Sequence, residues 1–384
     1  MKMEKALNIP PYVHEQTLFY IGAIISTLAW LGLIYFTHGG IAAVVPVAFI
    51  IYLFAQSSFV SYLKGSGALV STQQFPEIHK AVISCAQKVG MKETPNVYIL
   101  HLDGMFNAFA LRFLHKQYVV LLSDIVDAMD DNPDALNFYI GHEMGHLHRN
   151  HTLWDVFLLP SSILPLLGAA YSRSCESTCD IYGAACCEKP ESARLGLAAL
   201  AVGGKKYSKM NTEAYLDQVK ETKGFWMSFH ELVGNYPWLT KRFARVGKMD
   251  ENTIPRRHPL AYVFAIFVPK LSITSLIVIY LVFVFVSISS TLKPIYAALE
   301  NNTANQEYYD DYQSSEDYGS TNYQPMEYVV DEEYEGAPGY FYKYLGGNPD
   351  DESSWELVPS REETLERNVQ DGEEFFSEPD EHQH

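Results

Sequence analysis

Residues 17–36 carry no charged side chain over twenty positions, the length an α-helix needs to cross a lipid bilayer. Thr37-His38-Gly39-Gly40 breaks the run, and residues 41–56 are again apolar and uncharged. A second apolar run following at once predicts a transmembrane hairpin rather than a cleaved signal peptide. Residues 271–292 form another uncharged run and predict a last span. Residues 152–171 are apolar but hold Asp155, Pro160 and Pro165. They make a poor straight span and are expected to be buried, interfacial or re-entrant.

These runs divide the chain into an N-terminal hairpin (1–64), a globular domain (65–258), a C-terminal transmembrane segment (259–293) and a tail (294–384). The net charge of -18 belongs to the tail, where 24 acidic side chains face 3 basic ones. The tail is poor in aliphatic residues and is expected to be largely disordered. Residues 340–345 and 355–357 are candidate docking motifs within it, for a protein partner. With no basic face elsewhere, the composition argues against nucleic-acid binding. Five cysteines, four of them between Cys175 and Cys187 on a predicted helix, do not make a disulfide framework. They fit a reducing compartment.

Within the globular part, residues 75–89 read as an amphipathic helix ending at Gly90. Residues 96–100 and 118–122 read as strands, with a third possible over 106–113. Asn132-Pro133 is a helix start, with Asn as cap and Pro in the first turn. That helix should run to about residue 150. Further helices are expected over 174–187, 191–202 and 237–248.

The chemistry centres on His142-Glu143-Met144-Gly145-His146. Positions i and i+4 share one helix face. Two imidazoles there are able to hold one zinc ion, with Glu143 beside them as general base toward a water the metal activates. The base would pass the proton on to the leaving amine. A third histidine ligand of the metzincin kind would fall at position 152, which is Thr152, and the expected glycine is Arg149. The third ligand therefore comes from elsewhere. Glu176 opens a Glu-Ser-Thr-Cys-Asp stretch, so Glu176 and Asp180 share a face of the next helix. An antiparallel helix would bring Glu176 to the metal and Asp180 to the outer nitrogen of a ligand imidazole. Cys175 and Cys179 are rival ligands.

In these ordered motifs the chain resembles the HtpX-like integral-membrane zinc metallopeptidases, related to the CAAX prenyl endopeptidases. The resemblance covers roughly residues 75–248. It rests on the strand at 96–100, Asn107-Ala108-Phe109-Ala110, the strand at 118–122, HEMGH with His151, Glu176 with Asp180, then Tyr236-Pro237 and Arg242. It implies an α+β zincin-type (gluzincin) domain, mainly helical with a small sheet. It implies one Zn2+ per chain on His142, His146 and Glu176. It implies catalytic roles for Glu143, Tyr236 and Arg242, the last steadying the site. It implies an edge strand at Asn107, Ala108, Phe109 and Ala110 that binds extended peptide, and endopeptidase action on misfolded or membrane proteins. Three features depart from the family. Tyr236-Pro237 stands where His-Pro is usual, although a tyrosine hydroxyl also donates to an oxyanion. The interval from His146 to Glu176 is short, and the acidic tail lies outside the family core.

His142 and Glu176 must share one side of the bilayer, so residues 152–171 are not a complete crossing. Lys2, Lys5, Lys64, Arg256, Arg257 and Lys270 flank the apolar runs. The positive-inside rule then puts the catalytic domain in the cytoplasm and the tail across a multi-pass cell (inner) membrane. The expected activity is hydrolysis of peptide bonds in polypeptide substrates at a lipid bilayer. The alternatives are an inactive membrane chaperone or scaffold, an adaptor working through the acidic tail, and prenyl-protein processing, for which three spans are too few to build a chamber.

Overall fold

The computed structural model describes residues 6–37, 40–102, 107–271, most of 275–291, 327–337 and 340–358. The chain divides into two compact units, Met1–Tyr296 and Ala297–His384.

The first unit opens with α1 (Glu15–Phe36) and α2 (Ile41–Ser66), then β1 (Ala68–Leu69), α3 (Pro76–Val89), β2 (Asn96–Leu100), β3 (Ala108–Phe113) and β4 (Lys116–Leu122). Helices α4 (Ser123–Ala128), α5 (Pro133–His148), α6 (His151–Trp154), α7 (Leu159–Ile163), α8 (Leu167–Cys186) and α9 (Pro190–Val202) follow. The unit continues with α10 (Thr212–Asp217), α11 (Phe225–Val233), α12 (Leu239–Val246) and α13 (Pro259–Ala265).

The four strands lie in the order β1-β2-β4-β3. β2 and β4 are parallel, whereas β1 and β3 pair antiparallel to their neighbours. Alternate residues point to opposite faces of a strand, and both faces of this sheet are covered. Tyr98, Leu100, Tyr118, Val120 and Leu122 cluster with Val60 and Leu63 from the end of α2. Val97, Val119 and Leu121 join the main core with Val82 of α3 and Phe138, Ile140 and Met144 of α5. Burying each such large side chain contributes roughly 1.5–3 kcal/mol, and Phe138→Ala would remove about 3–5 kcal/mol.

The site-bearing helices α5 and α8 run antiparallel and very close. A Cβ on Gly141 would lie 2.5 Å from Cys186 Sγ and 2.9 Å from the Tyr182 carbonyl, and one on Gly145 3.1 Å from Tyr182 Cβ. The absent side chains let the two backbones approach, which brings the 176–180 stretch over the HEMGH turn.

Helix α1 is built inside out. Its buried residues are Glu15, Gly22 and Ser26, while Tyr20, Ile24, Leu28 and Leu31 are exposed. α1 and residues 45–66 of α2 are long and apolar enough to cross a membrane. α1 packs along the 152–166 segment: Trp30 Nε1 donates to the Phe157 carbonyl at 2.9 Å and the Ser161 amide to Ser26 Oγ at 3.2 Å. That segment forms only the short helices α6 and α7. The described residues between 275 and 291 are helical, and the rest of the last apolar run lies outside the described residues.

Several expectations need correction. α5 starts at Pro133 as the sequence predicts, but Asn132 does not cap it: its side chain donates to Tyr207 Oη at 3.0 Å instead. α8 begins seven residues before the expected start, because the turn at Leu166 follows directly on Pro165. α2 runs ten residues past the expected end, its last turns seated on the sheet. In the tail unit, where regular structure was not expected, Glu333–Ala337, Tyr340–Tyr344 and Trp355–Val358 form an antiparallel three-stranded sheet. The rings of Tyr328, Tyr334, Tyr344 and Trp355 pack together there at 4.9–5.8 Å, replacing the aliphatic core the composition lacks. The remainder of the tail lies outside the described residues.

Candidate metal centre and active site

His142 and His146 leave the same face of α5, their ring centroids 5.2 Å apart. Glu176 of α8 faces both: Oε2 is 3.4 Å from His142 Nε2, and Oε1 is 3.6 Å from His146 Nε2. Zinc binds imidazole and carboxylate at about 2.0–2.2 Å in a tetrahedron, which sets neighbouring donor atoms about 3.3–3.5 Å apart. Glu176 thus sets one oxygen near that spacing from each Nε2.

Each imidazole is held from behind. His142 Nδ1 is 3.1 Å from Asp180 Oδ1. Asp180 in turn accepts from Arg242 Nε at 2.8 Å and Nη2 at 2.6 Å, a two-point guanidinium–carboxylate pair. Burial opposes the charge on Asp180, but Arg242 and His142 outweigh it and hold the carboxyl down at about 2. Arg242 is 8% exposed and paired with Asp180, so it is not a surface arginine. Behind His146, Asn150 takes a left-handed backbone, φ 57°, a conformation Asn tolerates better than most residues. Arg112 holds the Asn150 side chain at 2.8 Å. The chain turns there and returns His151 to face His146, Nδ1 to Nδ1, at 3.1 Å.

Without a metal, one positive charge resides among the imidazoles. Burial opposes it on His142, but Asp180 and Glu176 raise that ring to about 10. Burial and the charge of His142 drop His146 to about 3. A cation between these rings and Glu176 is thus already favoured, and a metal would take the place of the proton.

His142, His146 and Cys179 also offer ligand atoms within 4.8 Å of one another. Cys179 is the weaker third donor. Its thiol is buried beside Glu176, which raises its pKa well above the ordinary value, and only the thiolate is a good ligand. Cys175 is likewise pushed up by burial.

Glu143 is 8% exposed, and burial raises its carboxyl to about 7, in the range that suits a general base. The Ala110 amide donates to it. His142, Glu143, His146, Glu176 and Arg242 open on a cleft of about 780 Å³. Asn107, Ala108, Phe109, Ala110 and Tyr236 line it too. β3 is the last strand of its sheet, so among the described residues no further strand pairs with its outer edge, where the Ala110 amide meets Glu143. Tyr236 is exposed, and the negative charge of Glu176, with burial and Glu143, raises its hydroxyl. It therefore remains a donor. Sequence reasoning missed Arg173, which is buried on α8 and donates to the carbonyls of Glu231, Leu232 and Gly234 at 2.7–2.8 Å. It clamps the loop that carries Tyr236. An arginine three residues before Glu176 was the available signal.

Two imidazoles and two carboxylates, those of Glu143 and Glu176, thus face one cleft. Residues 72–164 match the model of Peptidase family M48. The chain is also 24% identical over 173 residues to the plastoglobule-localized metallopeptidase 48, chloroplastic, of Arabidopsis thaliana, covering 41% of this chain and 49% of that protein. The chain thus spans about half the length of the curated relative it matches. Over these residues the chain is similar to the M48 metallopeptidases, in keeping with its motifs. Glu176 and Asp180 lie beyond the residues matched by the family model, so their assignment rests on geometry.

Proposed function

We propose that the chain is a membrane-bound, zinc-dependent endopeptidase with His142, His146 and Glu176 as ligands. The observation that carries this is the Glu176 carboxylate set 3.4 and 3.6 Å from the two Nε2 atoms. Zinc held there would act as a Lewis acid on the scissile carbonyl and make a water acidic enough to deprotonate near neutral pH. Glu143 takes the proton from the attacking water and delivers it to the leaving amine. The Tyr236 hydroxyl donates to the oxyanion of the tetrahedral state. Asp180, held by Arg242, fixes the tautomer of His142. An extended peptide pairs with the free edge of β3, while residues 65–258 serve as the catalytic domain.

The inside-out α1 supports a membrane anchor: small and polar residues inward, apolar ones outward. With α1 and α2 spanning as a hairpin, the 152–166 segment reaches the depth of the middle of α1 without crossing. Polypeptides at or in the bilayer are the natural substrates of a cleft so placed. The catalytic domain is cytoplasmic, and residues 294–384 lie on the other side as a tail for a protein partner.

Two experiments test this reading. Cleavage of an unfolded reporter protein in detergent should stop on chelation and return with zinc; cleavage indifferent to chelation overturns it. A reporter fused after residue 293 should prove non-cytoplasmic, and a cytoplasmic signal overturns the topology.

A further inference from the structure

Glu15 is a carboxylate at the head of an apolar helix, yet it is only 3% exposed. Burying a carboxylate is unfavourable unless it is paired. Its partners are Arg149, whose Nε and Nη2 donate to Oε1 at 2.9 and 2.7 Å, and His151, whose Nε2 lies 3.3 Å from the same oxygen, an ion-pair contact outside hydrogen-bond geometry. His151 is itself buried, with Nδ1 against His146 Nδ1 at 3.1 Å and Cys179 Sγ 3.7 Å from the same nitrogen.

These contacts form a chain with a fixed polarity. With a metal held on Nε2 of His146, the proton of that ring resides on Nδ1. The His151 Nδ1 lone pair must then accept, which puts the His151 proton on Nε2, against Glu15. A His151 tautomer with its proton on Nδ1 would set two donors face to face. Glu15 is the group that selects against that tautomer. The arrangement parallels the other ligand, where His142 is backed by Asp180 and then Arg242; here His146 is backed by His151, then Glu15 and Arg149.

We propose that Glu15 is a positioning residue for the metal centre, acting through His151 on His146, so that metal affinity depends on a carboxylate at the head of an apolar helix. This rests on the zinc reading above. Tyr12 fixes the geometry from the other side: its amide donates to Thr178 Oγ1 on α8 at 2.9 Å, and the Arg245 guanidinium lies 5.6 Å over its ring. The start of α1 is thereby tied to α8 and α12, and through Glu15 and Arg149 to the C-terminal end of α5.

The test is zinc affinity by chelator competition, with the visible spectrum of the cobalt-substituted protein, on the full chain in detergent. Glu15→Gln and His151→Phe should each weaken zinc binding about 10–100-fold and change the cobalt spectrum. The double variant should lose no more than the weaker single variant, because both changes break one chain. Trp30→Phe, which loosens α1 from Phe157 without touching the chain, should bind as wild type. His151→Phe leaves Glu15 paired with Arg149 and decides the matter if Glu15→Gln does not fold. Variants with wild-type affinity and spectrum, losses that multiply in the double variant, or an equal loss in Trp30→Phe would each overturn the inference alone. Wild-type protein that takes up no zinc would overturn the function reading, and this inference with it.

Discussion

Asp180 Oδ1 lies 3.1 Å from His142 Nδ1 and 2.6 Å from Arg242 Nη2, so one carboxylate oxygen orients a candidate metal ligand and pairs a buried cation. The two roles predict two separable losses. Asp180→Asn should weaken zinc binding about 10–100-fold, because the His142 tautomer is no longer fixed. It should also destabilise the fold by about 3–5 kcal/mol, since Arg242 is left buried without its partner. Replacing both residues together, Asp180→Asn with Arg242→Met, should recover part of the stability and none of the affinity. Melting temperature and chelator competition read the two effects independently.

Gly141→Ala would put a methyl group 2.5 Å from Cys186 Sγ and 2.9 Å from the Tyr182 carbonyl. Overpacking of this kind costs about 1–3 kcal/mol, and here it pushes α8, with Glu176, away from α5. Both stability and zinc affinity should fall. Gly65→Ala is the control, as its added carbon meets nothing within 4 Å. Thermal melts of the two variants check this.

Burial raises the Glu143 carboxyl from its ordinary value of 4.5 to about 7. The folded state keeps a proton there that the unfolded state has lost, so the stabilising contribution is full below pH 4.5 and is gone above about pH 7. In metal-free protein, Glu143→Gln should be on the order of 3 kcal/mol more stable than wild type at pH 8. The two should converge at pH 4–5. Denaturant midpoints at the two pH values measure the difference.

The parts of the site that share one element were legible in the sequence. His142, Glu143 and His146 follow from helical periodicity alone, and Glu176 with Asp180 from the same spacing on a second helix. Strands were legible at 96–100 and 118–122 because both faces are apolar, and the second starts two residues earlier, at Lys116. What was not legible depends on tertiary contact. Glu15 reads as a polar flank of an apolar run, and only folding shows it buried against Arg149 and His151. Arg173 reads as one more helix-surface charge until α11 docks on it. Asn132 has the identity of a cap, but Tyr207, seventy-five residues later, captures its side chain. The tail sheet escaped notice because its core is aromatic, and scarcity of aliphatic residues is the usual sign of disorder.

The most direct test of the central claim is zinc content measured together with reporter cleavage for wild type, Glu143→Gln and Glu176→Ala. The account predicts one zinc per chain in wild type and in Glu143→Gln, weakened zinc only in Glu176→Ala, and cleavage lost in both variants. Cleavage that survives Glu143→Gln, or wild-type protein that holds no zinc, would contradict it.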